Sequence, residues 1–407
     1  MQKSDVKDFL LNAFGRRIWI VLSVFLSLWY VFLCARHYLQ ARPLWNDEAA
    51  VFQSVEAFET KDFFTKVLIN GQNFPRFYLC LIHHISKPFD FSILSLRFFS
   101  FVAMISAFFV WMKIARLEFK EEFSRFTYML LWCSSAALIY YAAELKQYSM
   151  DVLVSGIFML FLYQQRHLQE KVGFKRYGLI LVVLPALILF SYTAFFYFLF
   201  PLYNLILSAR EDKKSVRFIM IYVVSLVLFS FLAYYFDMRL RDVYGYDDYF
   251  ISFASVGTFF KTLGEGITNL FSRWLVERPR ILKKIILSFF VFGFLNMFVS
   301  FFAHIKEDKY YLTSMKTIGL VIFAELFLMG CIQRYPFSVP RTSLFFCPVV
   351  LFLTLSGIMG LKKIHRYLYR IVFYSFFILL IFIFLQLSYL TLHGRIGFAP
   401  LLWWFGS

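Results

Sequence analysis

Residues 371–390 read IVFYSFFILLIFIFLQLSYL, twenty residues without a charged side chain. As an α-helix rising about 1.5 Å per residue, this run is about 30 Å long, the thickness of a bilayer's hydrocarbon core. The run 18–34, IWIVLSVFLSLWYVFLC, has the same character and follows Arg16-Arg17. No small-residue cleavage site comes after it, so it reads as a retained helix rather than a removed signal peptide. Working outward, near-spanning apolar segments recur at 93–112, 126–142, 150–164, 177–191, 193–209, 217–236, 285–303, 316–332 and 343–360. The chain therefore reads as all-α, a polytopic membrane protein with about eleven transmembrane helices in one membrane-embedded unit, 1–407. The stretch 177–209 is too long for one crossing and is expected to turn at Ser191-Tyr192-Thr193.

Composition agrees. Of 407 residues, 60% are hydrophobic and only 16% charged, and 57 are Phe, which is too apolar for an aqueous domain. The net charge of +17 raises the question of nucleic acid. The basic residues fall in short runs between apolar segments instead of forming one patch, which excludes that partner class and fits cytoplasmic loops. With residues 1–17 in the cytoplasm, the inner segments hold 23 Lys and Arg, and the short outer segments hold Lys146, Arg334, Arg341 and Arg395. Two long loops, 35–90 and 237–284, then lie outside. The first carries amphipathic runs at 48–58 and 62–69, expected to be interfacial helices. The second opens with Asp237 and an acid- and Tyr-rich run to 249. Cys34, Cys80, Cys133, Cys331 and Cys347 show no paired spacing, so no disulfide framework is expected. His83-His84 is too isolated for a metal site, and Glu325, inside an apolar run, reads as packed or facing a water pocket.

Four constellations carry the candidate chemistry. The first is Leu44-Trp45-Asn46-Asp47-Glu48, two acids just outside the first helix. Asn46 or Asp47 is a natural N-cap. Adjacent helical residues point about 100° apart, so one acid can face a site while the other supports it. The second is Asn73-Phe74-Pro75-Arg76-Phe77-Tyr78 followed by Leu96-Arg97-Phe98-Phe99-Ser100, where Arg97 starts a helix at the outer surface. The third is Tyr140-Tyr141-Ala142-Ala143-Glu144-Leu145-Lys146-Gln147-Tyr148. If helical, it puts Tyr141, Glu144, Tyr148 and Asp151 on one face. The fourth, Gln333-Arg334-Tyr335-Pro336 to Arg341, is a proline-set outer reversal with two cations. Each has a plain structural reading as a cap, an aromatic belt, a snorkelling cation or a turn.

Taken in order, the four resemble the GT-C membrane glycosyltransferases, most nearly the lipopolysaccharide sugar transferases and the aminoarabinose transferase, with protein O-mannosyltransferases more distant. The matching positions are Trp45 with Asp47-Glu48, Pro75 with Tyr78, Leu96-Arg97 with Ser100, Tyr141 with Glu144, Lys146 and Tyr148, Ser191-Tyr192, and Arg341. Arg76 stands where that pattern has a second proline, and Lys146 where it has arginine. The resemblance implies transfer of a sugar, with inversion, from a polyprenyl-phosphate donor to a glycan, lipid or protein acceptor. The site would face outward from a bacterial inner membrane. It implies Asp47 as catalytic base beside Glu48, with substrate-binding roles for Lys146, Arg341, Arg97, Glu144, Tyr141, Tyr148, Tyr78 and Arg334. A divalent metal ion is compatible with the acid pair, which alone does not establish one. A lipid-linked oligosaccharide flippase or other transporter is the rival class, and a non-catalytic membrane partner a third. A transporter would keep its charges at the midplane and show repeated halves. Here the candidate charges sit at helix ends and no repeat is evident.

Overall fold

The computed structural model describes residues 3–213, 215–240, 250–272, 274, 280–304, 314–337, 339 and 341–396, and among these every regular element is a helix. In chain order they are α1 (Lys3–Leu39), α2 (Asn46–Ala57), α3 (Asp62–Thr65), α4 (Arg76–Ser86), α5 (Ile93–Glu118), α6 (Glu122–Cys133), α7 (Ala136–Tyr140), α8 (Tyr148–Lys171), α9 (Phe174–Ala186), α10 (Leu199–Glu211), α11 (Ser215–Phe236), α12 (Val256–Ser272), α13 (Arg280–His304), α14 (Met315–Cys331), α15 (Cys347–Ile364) and α16 (Arg366–Leu392). In lipid, a helix satisfies every backbone group within the segment, which is why the uncharged runs take this form. Several starts are fixed by hydroxyl caps, as where Ser92 accepts from the Ser95 N–H and Ser314 from the Thr317 N–H.

Among the described residues, seven helices are long and apolar enough to cross a membrane, or eight if α6 and the α7 segment count as one span bent by 63°. The chain is a helical membrane protein. The eleven spans expected from apolar runs are not all met by helices that qualify alone. The α9 helix has 13 residues, about 20 Å, and α14 has 17. The last third of α8 carries Gln164, Gln165, Arg166, His167, Gln169, Glu170 and Lys171. The expected turn near Ser191 is present: Ser191 is extended between two short 3-10 segments.

The segment centred on α15 is 83% buried, against 22–39% for the other spans, so it runs through the middle of the bundle. Its approach to α13 is backbone on backbone. A Cβ on Gly357 would lie 1.8 Å from the Gly293 carbonyl oxygen, the close contact that small residues permit between membrane helices. The outer face of the bundle exposes Val21, Phe25, Leu28, Val224, Val227 and Ile378, as lipid contact requires.

One end of the bundle gathers the candidate motifs. There α1 finishes where α5 begins, and the Tyr38 hydroxyl donates to the Leu94 carbonyl at 2.6 Å. The first long loop is folded there as α2, α3 and α4. The second, expected only as a long outer loop, contains α12. Phe259, Leu263 and Ile267, spaced four apart, turn its apolar side toward the core. Residues 241–249 lie outside the described residues, as do Ser338 and Pro340 of the fourth constellation.

Candidate active site

The acid pair sits on the first turn of α2. Trp45, with extended backbone, precedes the helix, and its carbonyl accepts from the Ala49 N–H at 2.8 Å. Neither Asn46 nor Asp47 is the N-cap, contrary to the sequence expectation. The two acids diverge as the helical rotation requires. Glu48 is fully buried. Its Oε1 accepts from Arg97 Nε at 2.9 Å and from the Leu145 N–H at 2.6 Å. Its Oε2 accepts from Arg97 Nη2 at 2.6 Å and the Trp45 N–H at 3.4 Å. Arg97 Nη1 donates to the Arg42 carbonyl at 2.8 Å. The pair thus ties the 42–48 turn, the start of α5 and the 144–147 loop together. Removing one member of such a buried pair leaves an uncompensated charge, at a cost of about 3–5 kcal/mol.

Asp47 points the other way. Its Oδ2 accepts from Arg341 Nη1 at 2.5 Å, and the two side chains keep 28% and 18% exposure, so this pair stands at the accessible edge of the cluster. The Arg341 guanidinium lies over the Trp45 ring, 5.7 Å from its centroid. The loop presenting Arg341 is braced by Tyr335, whose hydroxyl donates to the Thr342 carbonyl at 2.7 Å. Arg334, on the same loop, is exposed, and no described hydrogen bond or ion pair joins its side chain to this cluster.

The third constellation is not one helix, which corrects the shared-face expectation. A 3-10 turn covers Tyr141–Ala143, Glu144 is extended (φ −131°, ψ 138°), and α8 starts at Tyr148. The break has visible causes. The Ser149 hydroxyl donates to the Tyr141 carbonyl at 2.7 Å. The freed Leu145 N–H goes to Glu48, and the freed Lys146 carbonyl accepts from Tyr78 Oη at 3.0 Å and Ser100 Oγ at 3.1 Å. Tyr78 and Ser100, from two separate motifs, therefore hold one peptide in place. Tyr141 and Tyr148 still meet edge to face, with centroids 5.1 Å apart.

Lys146 is 4% exposed. Its Nζ donates to Gln72 Oε1 at 3.0 Å and lies 5.0 Å from the Phe74 ring centroid. Burial pulls this ammonium down to about 8, against the opposing pull of the Asp47 carboxylate. Glu144 is fully buried; Trp45 Nε1 donates to its Oε1 at 2.9 Å, and its Oε2 has no hydrogen-bond partner. Burial first, and then the Glu48 carboxylate, push its carboxyl up to about 7.

Two groups escaped pattern reading. Arg42 donates to the Tyr140 hydroxyl at 2.6 Å and to the Ala143 carbonyl at 3.1 Å, pinning the 3-10 turn. Gln72 holds the Lys146 ammonium. Arg76, the departure from the resembled pattern, is 2% exposed; it pairs with Asp237 at 3.5 Å and donates to the Lys66 carbonyl at 3.1 Å. Asp237 also accepts from the Tyr192 hydroxyl, so Arg76 joins α4 to the end of α11. Asp151 accepts from Ser191 Oγ at 2.6 Å.

The acid pair does not form a metal seat as placed. Both Glu48 oxygens already accept N–H donors, and Asp47 is paired with a cation, whereas a hard divalent ion needs several free oxygens. Among the described residues no group of three or more His, Cys, Asp or Glu is arranged to hold one. The chemistry open to this arrangement is proton acceptance by Asp47 and anion binding by Arg341 and Lys146. Comparison of the chain with protein-family models, with curated proteins and with solved structures finds no match.

Proposed function

We propose that this chain transfers a sugar from a polyprenyl-phosphate donor to an acceptor hydroxyl, as an inverting glycosyltransferase of the GT-C kind. The site lies at the outer face of an eleven-span bundle in a bacterial inner membrane. The observation that carries the reading is the Asp47–Arg341 ion pair at the accessible edge of the site, with the buried Lys146 ammonium near enough to feel the Asp47 carboxylate, three charges from distant parts of the chain. Such a pairing suits a reaction that expels an anion while removing a proton. Donor phosphate draws Arg341 away from Asp47 and also meets the Lys146 ammonium. The released Asp47 carboxylate takes the proton of the acceptor hydroxyl as that oxygen bonds to the anomeric carbon. The carbon–oxygen bond to phosphate breaks on the opposite side, and the phosphate leaves with the electron pair. Glu48 and Arg97 position this machinery and do not bind the donor. The acceptor is a glycan, lipid or protein hydroxyl presented at the membrane surface.

The test is the lipid-linked and surface glycan composition of cells with and without the chain. Loss of one sugar from a surface glycan, with accumulation of its polyprenyl-phosphate form, is expected. Appearance of the whole lipid-linked oligosaccharide on the wrong side of the membrane, with every linkage intact, would instead identify a flippase.

A further inference from the structure

Resting on that reading, we infer that Glu144 receives a hydroxyl of the sugar being transferred and so helps set which sugar the site accepts. Its carboxylate is fully buried, and one oxygen has no hydrogen-bond partner. A buried acceptor left unpaired is costly, so a group that retains one is completed when a donor arrives. The surroundings define that donor. Trp45 Nε1 already fills Oε1 at 2.9 Å, and among the described residues no Lys or Arg nitrogen lies within ion-pairing distance of Glu144. An anionic phosphate is repelled by this carboxyl. A neutral hydroxyl is not, and it supplies the missing proton donor.

The Trp45 ring lies between Glu144, bonded to its Nε1, and Arg341, 5.7 Å from its centroid. One indole thus separates a hydroxyl acceptor from a phosphate-binding cation. That is the order of groups in a glycosyl phosphate. A site built to pair a substrate hydroxyl rejects analogues lacking it, because its own polar group is then stranded.

The experiment uses the purified full-length chain in lipid nanodiscs. Affinities are measured for polyprenyl phosphate and for its hexose, N-acetylhexosamine and pentose derivatives, then for the singly deoxygenated forms of the best binder. The wild type should prefer one glycosylated lipid over the bare phosphate and lose about tenfold or more on removal of one particular hydroxyl. Glu144→Gln should lose that preference while holding bare polyprenyl phosphate within about twofold, and should be indifferent to removal of the same hydroxyl. Glu144→Asp, which keeps the charge but draws it back, serves if the amide variant does not fold. A wild type with no preference for any glycosylated lipid overturns the transferase reading and this inference with it. A wild type that prefers a sugar but tolerates loss of each hydroxyl equally, or a Glu144 variant that keeps the full preference, overturns the inference alone.

Discussion

Glu48 and Lys146 show how a single residue's surroundings fix its role. Glu48 carries the same functional group as its neighbour Asp47, yet receives four N–H donors and no solvent. Glu48→Ala should lower stability by about 3–5 kcal/mol, read as a fall in the thermal midpoint of the detergent-solubilised protein. The double variant Glu48→Ala/Arg97→Ala should cost much less than the sum of the two singles, because neither charge is then stranded. Additive losses would mean the pair is not coupled. Lys146 offers a pH test. Burial depresses its ammonium to about 8, and on the proposed reading the protonated form is the one that meets donor phosphate. Affinity for a glycosyl phosphodiester lipid should therefore be full below that value and fall as pH rises through it, to the lower level that Arg341 alone supports. Lys146→Arg stays protonated throughout and should show no inflection. An inflection of the same size in both would place the titrating group elsewhere. Sequence pattern singled out the acids, Lys146 and Arg341 as candidates. The direction of each acid was hidden, because it depends on Arg97 and Arg341, 49 and 294 residues away.

At the scale of elements, apolar run length located the helices well and their breaks less well. The Ser191 break was legible because 177–209 exceeds a membrane's thickness. The break at Glu144 was not, since its causes are tertiary: Glu48, Tyr78 and Ser100 claim the backbone groups that a continuous helix would have used. The periodic apolar side of α12 is present in the sequence, but it lies within a long loop whose flanks carry many charges, so apolar run length alone does not reveal it. Glycine positions give the sharpest element-level test. Gly357→Ala places a methyl against the Gly293 carbonyl and must force α13 and α15 apart, with a stability loss of about 1–3 kcal/mol or more. Gly264→Ala, in α12, meets nothing within 4 Å and should be neutral or gain up to about 1 kcal/mol in helix propensity. Thermal unfolding of the two variants side by side checks this, and equal effects would contradict the close α13–α15 approach.

At the scale of the molecule, the gathering of motifs at one end of the bundle was legible from their place at the ends of apolar runs, whereas the helices too short to qualify alone as spans were not. A cysteine placed at exposed position 60, in a background without the five native thiols, should label from outside the cell only. Labelling from the cytoplasm would put the whole site on the wrong face for a lipid-linked donor. The most direct measurement is turnover by purified Asp47→Asn with a polyprenyl-phosphate sugar and its acceptor. Asp47 does not cap α2, and its one described hydrogen bond is to Arg341, so the amide should leave folding and insertion nearly intact. As it cannot take up the acceptor's proton, transfer should fall by about two to four orders of magnitude while donor binding persists. Near-normal turnover by a well-folded Asp47→Asn protein would contradict the account.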